Sequence, residues 1–238
     1  MENITMTLTG KEFADKIRAE NTALFDASRL NVREYFDSKP SQEELVAHFT
    51  GRMVNERMNM VEISAAVAAM PASTPVQELE LLTKQAQDEA LHFRMVKDVI
   101  EHITGEELDV EAAIVAEAAK PTAKGADLLA AYEASTDKAA LAAYQLVAEG
   151  RAEAVWQEMA DCIEDEYIAK AYAKIARDEG FHSNIGGLSL AKLAVTGEEQ
   201  ARVQGLVDQM RKDLFNISCV NTTVTAEAKE LVSEAYGW

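Results

Sequence analysis

The chain has 238 residues, 48% of them hydrophobic, with 4 Pro, 2 Cys and a formal net charge of -18. That length can bury a full core as one domain, while the acidity argues against nucleic acid, whose binding rests on neutralising phosphates with Lys and Arg. Cys162 and Cys219 form no C-x-x-C pair, so no disulfide framework or thiolate metal site is indicated, and both are expected as buried or semi-buried free thiols.

Few helix breakers and much Ala, Glu, Leu and Lys predict a mostly helical chain. Residues 1–40 read as an N-terminal arm with a helical segment over 10–37, packed on the outside. Ser41 with Glu44 is a capping box that opens a long helix ending near Met70, where Pro71 follows. Thr74 as cap and Pro75 at the first helical position open the next, which runs to about Gly105. Residues 106–135 read as two shorter pieces split at Pro121 to Gly125. Ser135 or Thr136 then caps an Ala-rich helix through about Ile163, a fourth long helix runs from Asp165 to Leu193, and Thr196 to Glu199 opens a C-terminal helix over 196–238. Four long helices in two hairpins, joined by some thirty residues, fit an all-α four-helix bundle with one long crossover plus flanking helices.

Two of the four His lie in a repeated motif, Asp88-Glu89-Ala90-Leu91-His92 and Asp178-Glu179-Gly180-Phe181-His182. Positions i and i+3 share a helix face, so each copy aims a carboxylate and an imidazole at one point. The first long helix carries the stripe Leu45, Phe49, Met53, Glu56, Met60, Ile63, Val67 and Met70, apolar but for one acid. A lone buried carboxylate is costly, and a metal would compensate it. Glu56 and Glu89 stand equally far from the turn at residues 72–73, so an antiparallel pair sets them at one level. Glu149 and Glu179 are likewise equidistant from the turn near residue 164, and Glu149 lies on the stripe Leu146, Ala152, Trp156, Met159 and Ile163. Glu153 and Glu62 are the lower-ranked alternatives to Glu149 and Glu56. The ligand set is therefore Glu56, Glu89, His92, Glu149, Glu179 and His182, and four carboxylates with two imidazoles suit a pair of Fe or Mn ions. Tyr172 and Trp156 read as core residues beside this set, and His48 and His102, outside any motif, as exposed.

One Glu from each of two helices plus Glu-x-x-His from the other two resembles the ferritin-like di-iron carboxylate superfamily over about residues 41–193. The Asp before each motif Glu is similar to the D-E-x-x-H pattern of its oxygen-activating branch, the bacterial multicomponent monooxygenases and ribonucleotide reductase small subunits. The resemblance implies one ferritin-like helical domain over 1–238, with Asp88 orienting His182 and Asp178 orienting His92. It further implies a non-haem di-iron oxidoreductase of monooxygenase type, holding two Fe, or an Mn/Fe or Mn/Mn pair, and using O2 to oxidise or hydroxylate a small organic substrate. A cytoplasmic location is expected from the sequence itself, which shows no basic-then-apolar signal pattern and no apolar run of the roughly 18 residues that span a bilayer. The chain offers no flavin or Fe-S motif, so electrons are expected from a separate ferredoxin or reductase. Neither a nucleic-acid nor a membrane partner is expected, and a homodimer is compatible. The alternative is a ferroxidase, iron-storage or peroxide-reducing ferritin-like protein, which the strong acidity favours.

Overall fold

The computed structural model describes residues 7–120, 127–132, 136–221 and 223–238. Every regular element among them is helical. The N-terminal arm is two helices, α1 (Gly10–Glu20) and α2 (Thr22–Asp37), that break at Asn21. The break is clamped by the buried Arg211, which donates to Asn21 Oδ1 at 2.8 Å and to the Ile17 carbonyl at 3.2 Å. These helices are not an outer appendage: Phe13, Ala14, Ile17 and Leu24 are buried in the same core as Ile63, Leu146 and Leu190. Gly10 permits this docking, since a Cβ there would sit 2.1 Å from the Ala191 carbonyl oxygen.

The bundle proper begins with α3 (Gln42–Ala69), opened by the Ser41–Glu44 capping box. α4 (Val76–Thr104) starts one residue later than the sequence suggests, without a side-chain cap from Thr74, and stops at Gly105 in the left-handed conformation, φ 71°. α3 and α4 pack along their lengths as one hairpin. Two short helices follow, α5 (Val110–Ala118) and α6 (Asp127–Ala131). The expected split at Pro121 to Gly125 and the Ser135 cap lie outside the described residues. Asp137, not Thr136, caps the next element by accepting from the Ala139 and Ala140 amides.

That element is α7 (Lys138–Tyr144), a π-helical turn over Gln145–Glu149 and α8 (Gly150–Cys162), running as one rod. With α9 (Glu166–Leu193), capped by Asp165, it makes the second hairpin. α9 approaches the π turn closely at Gly186, where a Cβ would lie 2.6 Å from the Leu146 amide nitrogen. The expected single C-terminal helix is two, α10 (Gly197–Asn221) and α11 (Ala226–Tyr236), the second capped by Thr225 and packed on α2. Cys219 is exposed rather than buried, and Cys162 is half-buried. No helix among the described residues is long and apolar enough to cross a membrane.

Candidate metal centre

The six residues singled out by the sequence meet inside the bundle. Glu56 comes from α3, Glu89 and His92 from α4, Glu149 from the end of the π turn, and Glu179 and His182 from α9. None is more than 2% exposed. They form two overlapping groups, Glu56, Glu89, His92 and Glu179 in one and Glu89, Glu149, Glu179 and His182 in the other. Within each group the candidate ligand atoms lie within 4.8 Å of one another, an arrangement that could hold a metal ion.

Both shared acids face both imidazoles. Glu89 presents Oε2 to His92 Nδ1 at 3.7 Å and Oε1 to His182 Nδ1 at 3.3 Å. Glu179 presents Oε1 to His92 Nδ1 at 3.3 Å and Oε2 to His182 Nδ1 at 3.0 Å. Glu56 Oε2 adds a 3.5 Å approach to His92 Nδ1. The two rings are 6.0 Å apart between centroids. Glu56 Oε2, both oxygens of Glu89 and His92 Nδ1 are buried without a hydrogen-bond partner. Buried polar atoms are almost always paired, so four orphans aimed at one centre need a common partner. A pair of cations fits that donor set.

Each imidazole turns its outer nitrogen to an Asp of the opposite hairpin. His92 Nε2 lies 3.2 Å from Asp178 Oδ2, and His182 Nε2 lies 3.2 Å from Asp88 Oδ2. The Asp residues are held in turn by Lys one turn earlier: Lys84 donates to Asp88 at 2.5 Å, and Lys174 donates to Asp178. The repeat is thus longer than the five residues first apparent, because Lys precedes Asp by four positions in both copies. Glu149 has a polar support of its own, accepting from Gln85 Nε2 at 3.0 Å, while Gln145 donates to Gln85 Oε1 at 2.7 Å. The two alternatives stay outside: Glu62 is half-buried, and Glu153 is exposed with its carboxylate over Gly180. Neither belongs to either group.

The electrostatics are those of four buried carboxylates crowded around two imidazoles. Burial pushes the Glu56 carboxyl up to about 8, with Glu179 and Glu89 adding repulsion. Burial and the charge of Glu179 hold Glu149 well above the usual carboxylate range. For His182 burial opposes the charged form, but hydrogen bonds to Asp88 and Glu179 outweigh it and raise the ring to about 9. His92 is shifted upward in the same sense, its burial outweighed by Asp178, Glu179 and Glu56. Burial works against charge on Asp178 too, yet His92 and Lys174 bring it down to about 2. Without metal, protons hold the cluster together.

A cavity of about 460 Å³ opens on the side away from the two Asp–Lys pairs and reaches Glu56, Glu149 and Glu179. Its wall includes α2, and His48 faces into it rather than outward, with Nε2 buried and unpartnered. His102 is exposed, 2.9 Å from Asp165. Trp156 and Tyr172 stack at 5.0 Å in the core beside the cavity. No protein-family model, curated protein or solved structure matches this chain.

Proposed function

We propose that this chain is a dimetal oxidoreductase of the ferritin-like, oxygen-activating type, holding two Fe or an Mn-containing pair and using O2 to oxidise a small organic substrate. The observation that carries it is the double role of Glu89 and Glu179, each offering one oxygen to each half of the site. Bidentate acids shared between two centres about 4 Å apart are what a two-metal site requires. Bound iron would supply O2 binding and reduction. The protein's own residues do the rest: Asp88 and Asp178 fix the imidazole tautomers, Lys84 and Lys174 keep those Asp residues charged, and burial keeps bulk water from the centre. For hydroxylation the balance is R–H, O2, two electrons and two protons giving R–OH and water, with the electrons from a separate ferredoxin or reductase.

The cavity against Glu56, Glu149 and Glu179 supports an enzyme over a store, because it is the size of a small-molecule site. Metal analysis and O2 uptake test the proposal. Purified protein should hold two Fe or Mn per chain and consume O2 once chemically reduced. A two-iron protein that leaves O2 untouched would refute it, and a hollow oligomer loading hundreds of irons in gel filtration would favour the ferroxidase reading.

A further inference from the structure

The cavity carries a second feature that metal ligation does not use. Two guanidinium groups, Arg52 of α3 and Arg151 of α8, line it in a chain whose net charge is -18. Neither forms an ion pair with any described carboxylate. Arg151 donates from Nε to Ser28 Oγ at 2.9 Å and from Nη2 to Ser218 Oγ at 2.6 Å. Arg52 has no hydrogen-bond partner among the described residues and lies over the Trp156 ring at 5.3 Å. The acids of the same wall are engaged elsewhere. Glu44 closes the α3 capping box, Glu117 pairs with Lys120 at 2.5 Å, and Glu56, Glu149 and Glu179 belong to the metal cluster. Beside Arg52, one turn back on α3, His48 adds its buried, unpartnered Nε2.

Arg52 is half-buried, and the one carboxylate that favours its charge, Glu56, is also a candidate metal ligand; a partly buried cation left without a dedicated partner is costly. The second half-buried guanidinium, Arg151, adds repulsion. An anionic ligand resolves it. The free planar fork of Arg52 matches a carboxylate in bidentate fashion, and the apolar side chains of the cavity favour an anion carried on an apolar body over a free phosphate. Arg52 lies over Trp156, and the cavity lining also carries Val155, Met159, Val32 and Phe36 among its polar residues. Arg52 and Glu56 are four residues apart on one helix, so the anion would sit about 6 Å along the axis from the metal cluster.

We infer that Arg52 is the anchor of a carboxylate subsite, and that the substrate is a small monocarboxylic acid with an apolar body whose far carbons lie against Glu56 and Glu149. The oxidation of that carbon rests on the dimetal reading, but the anchor does not. The test is calorimetric titration of the metal-loaded full chain with hexanoate, octanoate and phenylbutyrate, each paired with its primary amide. At least one acid should bind about tenfold more tightly than its amide, equivalent to about 1.4 kcal/mol.

Arg52→Gln should bring that ratio close to one while leaving two metals per chain, and its Tm should hold or rise because a half-buried charge without an ion pair is gone. Arg52→Lys should keep an intermediate ratio, and carries the test if the Gln variant fails to fold. Arg57→Gln, exposed on the same helix, should change nothing. Equal binding of acid and amide in every pair overturns the inference, as does a preference that survives Arg52→Gln, which would put the carboxylate on the metals. Protein that holds no metal but shows the Arg52-dependent preference supports the anchor and refutes the dimetal reading instead.

Discussion

Replacing Gly186 by Ala tests whether the close fit of α9 against the π turn positions Glu149. A Cβ at 186 would stand 2.6 Å from Gln145 Cβ, 2.6 Å from the Leu146 nitrogen and 2.7 Å from the Ala142 carbonyl oxygen. Two of those three are backbone atoms, so no side-chain rotation relieves the clash, and the rods must separate by about 0.8 Å to restore ordinary contact. Overpacking of this kind costs up to about 3 kcal/mol, and the better helix propensity of Ala returns about 1 kcal/mol. The net loss of about 2 kcal/mol corresponds to a fall of roughly 4–8 °C in Tm for a chain of this size. Glu149 belongs to only one of the two ligand groups, the one with His182. Displacing its turn should therefore release one metal before the other, and the metal content should drop from two per chain toward one. Gly205→Ala is the control: it is exposed in α10 with nothing within 4 Å of the new Cβ, and should gain about 0.4–1 kcal/mol. Thermal melts and metal analysis of both variants decide the matter. A Gly186→Ala protein with unchanged Tm and two metals would refute the argument.

Asp88→Asn and Asp178→Asn should each weaken metal binding about 10–100-fold in chelator competition, because each removes the acceptor that orients one imidazole. Metal loading at pH 7 should release about two or more protons per chain, since Glu56 and both His bind protons above their ordinary values in the metal-free cluster; calorimetry in buffers of different ionisation enthalpy counts them, and no release would contradict the shifts. His182 is raised from 6.5 to about 9, so the metal-free native state holds the extra proton and its advantage is lost as pH rises through that window. The metal-free Tm should therefore fall between pH 6.5 and 9, and a rise would be the wrong sign. Metal at a thousand times its Kd should stabilise by about 4 kcal/mol, or roughly 8–16 °C, and a chelator should abolish the gain.

The motif pairs were legible because i, i+3 spacing fixes geometry inside one helix, and Glu56 and Glu149 because a lone acid in an apolar stripe stands out against its neighbours. The expected stripe of α3 is buried at Phe49, Met53, Glu56 and Ile63 and is one residue off at two steps, where Asn59 and Ala66 are buried while Met60 and Val67 are only partly so. Even so, Glu56 stays inside and Glu62 does not. The π turn before Glu149 left no mark in the sequence, since it depends on how Gly186 lets a separate helix approach. Lys84 and Lys174 were visible at matching positions, but a Lys beside an Asp reads as solvated surface until the Asp is seen to turn inward. His48 was misjudged for a related reason. Glu44 and Arg52 flank it by one turn and give that face a polar look, but α2 covers the face, and local periodicity cannot report the docking of a distant helix. The break before α11 did have a local signal, the cap Thr225, which Thr222 and Thr223 obscure.

The charges around the centre can be followed outward in layers. Four buried carboxylates would balance two divalent ions, and Asp88 and Asp178 balance Lys84 and Lys174. On that side the centre is closed and electrically complete, which suits residues whose task is to hold imidazoles still. On the cavity side the account does not close. Burial, with Arg52 adding repulsion, brings Arg151 down to about 9 and leaves it bonded to hydroxyls, while Arg52 has no ion pair among the described residues and only Glu56, a candidate ligand, as a negative neighbour. A cavity serving only O2 would gain nothing from a guanidinium one turn from the ligands. Its position makes sense if the missing negative charge arrives with the substrate, so that the group which completes the electrostatics also fixes which end of the molecule faces Glu56 and Glu149.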